Sequence, residues 1–496
     1  MSDAVTVAGM DAGAISLSLI SHTNAGKTTL ARTLLGRDVG EVRDAPHVTD
    51  EATPFPLIQT AEGDLLTLWD TPGFGDSVRL ARRLGQNGSP IGWFLSQVWD
   101  RYRDRPFWLS QLAVRNVAEQ ADVVLYLVSA AEEPDDAGYL QPELEVLGWI
   151  GKPVVVLLNQ TGPPRARGAD ADEDRWRAAV TGAPHVRGVL TLDAFARCWV
   201  QEFTLFAAVG AALPDDKTAA FTRLLHAWGE RRMAQFDAAM TALAVPIAAA
   251  ARDRVVLPPE PLTARIGGSV GLQNVARTQA RGEAERTLAE RLELDLRLST
   301  ESLIAIHNLE GRAMGEVLQR VASDVQVETP VDAGRTAALS GVVSGALTGL
   351  GADLMAGGLT FGAGMVAGAI IGALGGAGIA RGVNVVRGKN ESSARWEEAF
   401  LDGLVTSALL KYLAIAHYGR GRGEWKESEY PPFWRPLVVD AVLDNAERLA
   451  AVWALRAESD GGERLERELH GLLRDMAVQL FDELYPGALS AAVRAR

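Results

Sequence analysis

Four apolar runs punctuate the first 160 residues, each short enough to be a buried strand: AISLSLI at 14–20, LLTLW at 65–69, ADVVLYLVSA at 121–130 and KPVVVLLNQTG at 152–162. The last two runs suit strands covered on both faces, and the segments between them carry helical spacing. TTLARTLLG at 28–36 is one such segment, closed by Gly36. The pattern predicts an α/β domain with a mostly parallel sheet over residues 1–214. From about residue 215 the strand signals fade. RTLAERLELDLRLSTESLIAIHNLEGRAMGEVLQRVASDV at 286–325 sets apolar residues at helical spacing among charges, predicting a helical domain over 215–334 and, after a distinct stretch at 335–389, a helical C-terminal region over 390–496.

The stretch at 335–389 departs from both patterns. Between Arg335 and Arg381 the only charged residue is Asp353, while Gly341, Gly345 and Gly349, then Gly364, Gly368, Gly372 and Gly376, recur every four residues. On a helix that period keeps small residues on one face and lets two helices approach closely, so the stretch reads as a glycine-zipper helical hairpin turning near Gly357 and Gly358. Arms of about twenty residues are long enough to span a hydrocarbon core. Arg335 on one flank and Arg381, Arg387 and Lys389 on the other would then share the cytoplasmic face. A Gly/Ala-rich hairpin buried in a soluble helical domain is the alternative.

Candidate chemistry sits between the first strand and helix. Ser21, His22, Thr23, Asn24, Ala25, Gly26, Lys27 and Thr28 follow the pattern G-x-x-x-x-G-K-[ST] with Ser21 in place of the first glycine, and Thr29 continues into the helix. In such a loop backbone N–H groups cradle phosphates, the lysine reaches the β/γ-phosphates and the last hydroxyl binds Mg²⁺. The second candidate strand ends in Asp70, 43 residues after Lys27, followed by Thr71, Pro72 and Gly73. A strand-end carboxylate near the loop suits Mg²⁺, and a glycine N–H three residues on suits a γ-phosphate sensor.

Together the two motifs resemble the translation-factor-related P-loop GTPases, within them the bacterial Era-like branch. The resemblance implies that Lys27 and Thr28 hold phosphate and Mg²⁺, that Asp70 is the second Mg²⁺ contact, and that Gly73 senses the γ-phosphate. It implies a Mg²⁺-binding threonine from a mobile loop, for which DAPHVTDEATPF offers Thr49 ahead of Thr53. Phe74 stands where Ras-type enzymes place a water-orienting glutamine, so hydrolysis should be slow without a partner, dimerisation or an ion. Asn24 matches an asparagine that coordinates K⁺ in several relatives; simple loop hydrogen bonding is the other reading. Where the family reads guanine with Asn-Lys-x-Asp, this chain has Asn159, Gln160, Thr161 and Gly162, without the aspartate. An acid from GADADED at 168–174 could substitute, and Ala194 is the candidate for the last base-contacting loop.

Residues 74–118 form a longer insertion than a minimal GTPase needs, mixing Arg79, Arg82 and Arg83 with Trp93, Phe94, Phe107 and Trp108. Aromatics among arginines suit either a partner or lipid-headgroup surface, or rings packed onto the domain with arginines solvated outside. HYGRGRGEW at 417–425 offers Arg420 and Arg422 to a phosphate, against the plainer reading of a solvated helix end. The glycine-rich stretch with the region around 408–425 resembles the C-terminal part of proteobacterial Era-like GTPases that carry a domain of unknown function.

Charge and cysteine content narrow the partners. A formal charge of −14 and a pI near 5.1 argue against an extended nucleic-acid surface. The single Cys198 excludes an intramolecular disulfide framework and suits a reducing cytoplasm. MSDAVTVAGMDAG shows no basic segment followed by a long apolar run, so residence at the inner face of the cytoplasmic membrane is expected. The expected activity is slow GTP hydrolysis, with GTP/GDP and Mg²⁺ bound and K⁺ a further candidate. The nucleotide state would switch a membrane-associated helical domain, and a membrane or membrane-protein partner and a homodimer are the partners carried forward. Two alternatives stand beside it: a membrane-acting structural protein with a degenerate site of little turnover, and an ATP-binding P-loop protein.

Overall fold

The computed structural model describes residues 13–22, 25–36, 52–86, 88–96, 105–161, 170–192, 198–258, 270–309, 383–387, 392–417, 433–458 and 461–489. The chain divides into two compact units: Met1–Met233 with His417–Glu427 and Leu484–Arg496, and Ala234–Ala416 with Ser428–Glu483.

The first unit runs β1 (Ala14–Ser21), α1 (Lys27–Leu35), β2 (Thr53–Gln59), β3 (Leu65–Asp70), α2 (Ser77–Leu84), α3 (Pro90–Ser96), α4 (Arg105–Gln120), β4 (Val123–Ser129), α5 (Leu140–Ile150), β5 (Val154–Asn159), α6 (Asp170–Val180), β6 (Val186–Thr191), α7 (Gln201–Ala212) and the start of α8 (Asp215–Arg252). Its strands line up as β2-β3-β1-β4-β5-β6. All neighbours are parallel except β2, which runs antiparallel to β3. The expected mostly parallel sheet is therefore present. β4 and β5 are buried at every position, as strands with helices on both faces must be, which is why they read as unbroken apolar runs. The registers set Leu19 opposite Asp70 and Ser129 opposite Asn159, bringing the carboxyl ends of the functional strands to one end of the sheet.

Two strands lie outside the predicted set. β2 carries Pro54 and Pro56, shifts register between Pro56 and Ile58, and occupies the sheet edge, the place where proline is tolerated. β6 closes the other edge and is only partly buried. Among the described residues of the 74–118 stretch, three helices, α2, α3 and α4, follow one another. Phe94 and Phe107 are fully buried in the core beside α2 and α5, and the Arg79 and Arg83 guanidinium groups lie 4.6 and 5.7 Å from the Phe107 ring centroid. Those aromatics pack the domain rather than face a partner, with long cationic side chains covering them.

The second unit contains the rest of α8, then β7 (Arg254–Leu257), α9 (Val270–Ile306), β8 (Val383–Arg387), β9 (Ser392–Trp396), α10 (Glu398–Ala416), α11 (Trp434–Asp444), α12 (Ala446–Ala454) and α13 (Gly461–Leu484). It is mainly helical, as the spacing predicted. Phe236, Tyr412 and Phe481 meet with ring centroids 5.9 to 6.2 Å apart, joining α8, α10 and α13. On α13, Leu465, Leu469, Leu472, Met476 and Leu480 form the buried stripe expected of an amphipathic helix. A small antiparallel sheet, β7-β9-β8, was not anticipated. Of the 335–389 stretch, the described residues are 383–387; they form β8, so the helical reading does not extend over that end. The glycine repeat itself, Arg420 and Arg422 lie outside the described residues.

Candidate nucleotide site

The site is built where β1, β3 and β5 end. Gly26 begins the turn into α1 with φ 87°, a left-handed conformation that costs other residues about 1–2 kcal/mol. A Cβ there would also lie 2.5 Å from Asn159 Nδ2, so glycine is required twice over. The Asn159 amide, fully buried at the end of β5, donates to the Ala25 carbonyl at 2.8 Å and clamps the loop from the far side. Gly36, also left-handed at φ 64°, closes α1 by donating to Arg32 and Thr33 carbonyls.

Ser21 fits the first loop position without strain. Among described residues the non-glycines with positive φ are Gln160 and Asn308, so Ser21 does not need the freedom a glycine has. Its hydroxyl donates to the His22 carbonyl and accepts from Lys27 Nζ at 2.9 Å. The lysine is buried, and burial pulls its pKa down against the opposing pull of the Asp70 and Glu143 carboxylates. Gly73 closes over it: a Cβ on Gly73 would stand 3.0 Å from Lys27 Nζ. Lysine, serine hydroxyl and sensor glycine are thus in one place.

Thr28 Oγ1 donates to Asp70 Oδ2 at 2.7 Å. The other carboxylate oxygen, Asp70 Oδ1, is buried with no hydrogen-bond partner. Burial raises the Asp70 pKa, offset in turn by the Thr28 hydrogen bond and the charges of Lys27 and Arg32. A buried carboxylate oxygen without a donor is costly, and a divalent cation reached through water would satisfy it, so hydroxyl and carboxylate fit Mg²⁺. Thr29 is buried in α1 and its carbonyl accepts from the Thr33 hydroxyl, a packing position. Among described residues no cluster of three or more His, Cys, Asp or Glu is arranged as a metal site of another kind.

Phe74 is fully buried, its N–H donating to the Ser21 carbonyl at 3.0 Å. The ring belongs to the apolar core. Gln160 sits in the left-handed region at φ 58° directly after the clamp. The acids of the 168–174 run whose side chains are described are tied up on α6: Asp172 and Asp174 pair with Arg175 and Arg177, and Glu173 accepts from the Thr191 N–H at 2.7 Å. Asp172 and Asp174 thus sit in local i,i+3 pairs on the helix surface. Thr53, the second choice for the mobile threonine, is the first residue of β2, opposite Asp70. Thr23, Asn24, Thr49 and Ala194 lie outside the described residues.

His22 and Glu143 form a pair that the sequence reading missed. The signal was present: in YLQPELEVLGW, Glu143 falls on the apolar face of α5 with Leu140, Leu144 and Leu147, where a charge needs a partner.

Residues 16–160 match the family model described as a 50S ribosome-binding GTPase. Residues 183–460, more than half of the chain, match the domain of unknown function DUF3482. The chain belongs to the DUF3482 family. Its first unit carries a GTP-binding P-loop GTPase domain. Solved structures similar to this DUF3482 protein include an Era variant from Aquifex aeolicus bound to GDP and AlF4⁻, at 15% identity, TM-score 0.30, covering 58% of this chain and 89% of that one. Era in complex with MgGDPNP and a segment of 16S ribosomal RNA gives 15% identity, TM-score 0.31 and coverage of 56% and 89%. A membrane-tethering bacterial dynamin pair gives 9% identity, TM-score 0.26 and coverage of 98% and 70%. Likenesses this distant carry no functional argument. No curated protein matches the DUF3482 chain.

Proposed function

We propose that this protein is a slow GTPase whose nucleotide state switches its helical region at the inner face of the cytoplasmic membrane. The observation that carries the nucleotide half is the cradle of Lys27, Thr28 and Asp70, with a buried carboxylate oxygen awaiting a ligand. Lys27 and the loop N–H groups would hold the β- and γ-phosphates, Thr28 and Asp70 would hold Mg²⁺, and Gly73 would read the γ-phosphate. Thr49 is proposed to complete the Mg²⁺ contacts, and Asn159 and Gln160 to border the base. Mg²⁺, when bound, neutralises phosphate charge during transfer. The chain's own groups position the nucleotide and hold the lysine charge; the buried Phe74 supplies no water-orienting group, which supports slow turnover unaided by K⁺ at Asn24, a partner or a second copy.

The membrane half rests on composition. The glycine-zipper run of 335–389 supports it. So, weakly, do α8 and α10, which are long and apolar enough to cross a membrane, although 56% and 72% of their most apolar windows are buried within the protein, as in core helices of soluble proteins. A second reading, a membrane-acting protein with a site of little turnover, is favoured by Ser21, by the buried Phe74 and by Gly162 standing where the family carries its guanine-reading aspartate.

The test is a titration of full-length wild type and Lys27→Ala with fluorescent GTP and ATP in Mg²⁺, then phosphate release in Na⁺ and in K⁺, with and without anionic lipid vesicles. Lys27-dependent binding of GTP over ATP with release above background supports the switch. Binding without release under every condition supports the second reading. No Lys27-dependent binding of either nucleotide defeats both.

A further inference from the structure

The second unit holds an open groove of about 630 Å³ where α8, α9, β9 and the start of α13 meet. Small residues leave the space: α8 carries the run Ala248 to Ala251 near its end, and α13 begins with Gly461 and Gly462. Protein interiors normally close such gaps, and the volume lies within the range of about 300–1,000 Å³ that ligand sites occupy.

The groove joins apolar walls to an excess of negative charge. Leu294 of α9 and Val245 of α8 border it and stand 56% and 44% exposed. Leu298, one turn further along α9, is 52% exposed, so an apolar strip continues out of the groove on one helix face. Exposed apolar side chains that are contiguous, rather than scattered singly, mark an interaction surface. Four carboxylates line the groove against two guanidinium groups. Arg291 is already paired with Asp253 at 2.8 Å, and the Arg252 guanidinium packs against Gly462. Asp295, Glu463 and Glu466 have no ion pair among the described residues. The Asp295 carboxyl is pushed above the ordinary aspartate range, first by burial and then by the Asp253 charge, so the groove is short of positive charge.

We propose that this groove binds a basic amphipathic helix of a partner protein, its apolar face against Val245, Leu294 and Leu298 and its lysine or arginine side chains against Asp295, Glu463 and Glu466. A helix offers apolar anchors at i and i+4, the spacing at which Leu294 and Leu298 present themselves, and cationic residues beside that face meet carboxylates that lack a counter-charge. The formal charge of −14 steers the same kind of partner from a longer range. An anionic membrane surface meets the wrong sign here, and a second copy would bring the same excess of carboxylates to the groove.

The probe is a fluorescently labelled leucine/lysine peptide whose leucines share one helical face, titrated by anisotropy into the full-length protein. A scrambled peptide of the same composition and one with glutamate for lysine serve as controls. Wild type is compared with Leu294→Ser and with the double variant Asp295→Asn, Glu466→Gln. These side chains are all at least partly exposed, so thermal midpoints should stay near that of wild type. Affinity for the amphipathic peptide should fall about tenfold in Leu294→Ser, as for the loss of one anchor contact. It should fall about threefold or more in the carboxylate variant, a loss that shrinks as salt rises. Both control peptides should bind wild type about tenfold more weakly or worse. Binding that none of these substitutions changes, or that the glutamate peptide matches, would overturn the proposal. Absence of peptide binding would overturn it too, and self-association or anionic-vesicle binding lost in Leu294→Ser would then give the groove to a second copy or to a membrane.

Discussion

Gly26 and Gly36 sit at opposite ends of α1 in the same left-handed conformation, φ 87° and 64°, yet only one of them faces a neighbour. Nothing lies within 4 Å of a Cβ on Gly36, whereas a Cβ on Gly26 would stand 2.5 Å from Asn159 Nδ2. Gly36→Ala therefore meets only the backbone cost of a left-handed L-residue, about 1–2 kcal/mol. Gly26→Ala meets that cost and displaces the buried Asn159 amide from the Ala25 carbonyl, a hydrogen bond whose loss leaves polar groups unpaired at about 1–3 kcal/mol. The expected totals are about 1–2 kcal/mol at Gly36 and about 2–5 kcal/mol at Gly26. Urea unfolding of the full chain, following the transition that Mg²⁺ and nucleotide move to higher denaturant, reads the difference. In Gly26→Ala with Asn159→Ala the clash partner is gone, so the double variant should lose less than the sum of the single ones. Gly26→Ala should also lose nucleotide affinity while Gly36→Ala keeps it. Equal destabilisation by the two substitutions, or strict additivity in the double variant, would refute the claim that Asn159 clamps the loop.

Restoring a glutamine at the catalytic slot should fail: Phe74→Gln removes a fully buried ring and places an amide in an apolar core, a loss of about 3–5 kcal/mol, and phosphate release should not rise above wild type. A folded Phe74→Gln protein with faster release would show that the slot is catalytic. The Asp64 carboxyl is held below the usual range, first by hydrogen bonds from Arg223 at 2.6 and 2.8 Å. A depressed folded-state value contributes stability in full above the ordinary aspartate range near 4 and loses it as pH falls through the depressed value. Thermal midpoints of wild type should therefore drop below about pH 4 more steeply than those of Arg223→Gln; parallel curves would remove Asp64 from the acid response.

How far the sequence could be read depended on what surrounds each segment. β1, β3, β4 and β5 are covered on one or both faces, so their composition is dominated by burial and their runs are visible. β2 and β6 lie at the sheet edges, where exposure admits proline, glycine and charge and erases the pattern. The phosphate loop and Asp70 were legible because their chemistry fixes residue type at fixed spacing. Ser21 was a departure in sequence and is an ordinary residue in space, because its backbone stays in a region open to any side chain and its hydroxyl gains Lys27. Glu143 stood out as a charge on an apolar face, but its partners were out of reach: His22 follows β1 and Tyr126 lies on β4, and no local pattern announces a contact spanning 121 residues.

The edge strand β2 has a bearing on self-association. An unpaired strand edge invites a second copy to extend the sheet through main-chain hydrogen bonds. Pro54 and Pro56 contribute no N–H, and the register break between Pro56 and Ile58 interrupts the regular spacing such a zipper needs. That edge of the GTPase sheet is thus a poor seam for strand addition by a second copy.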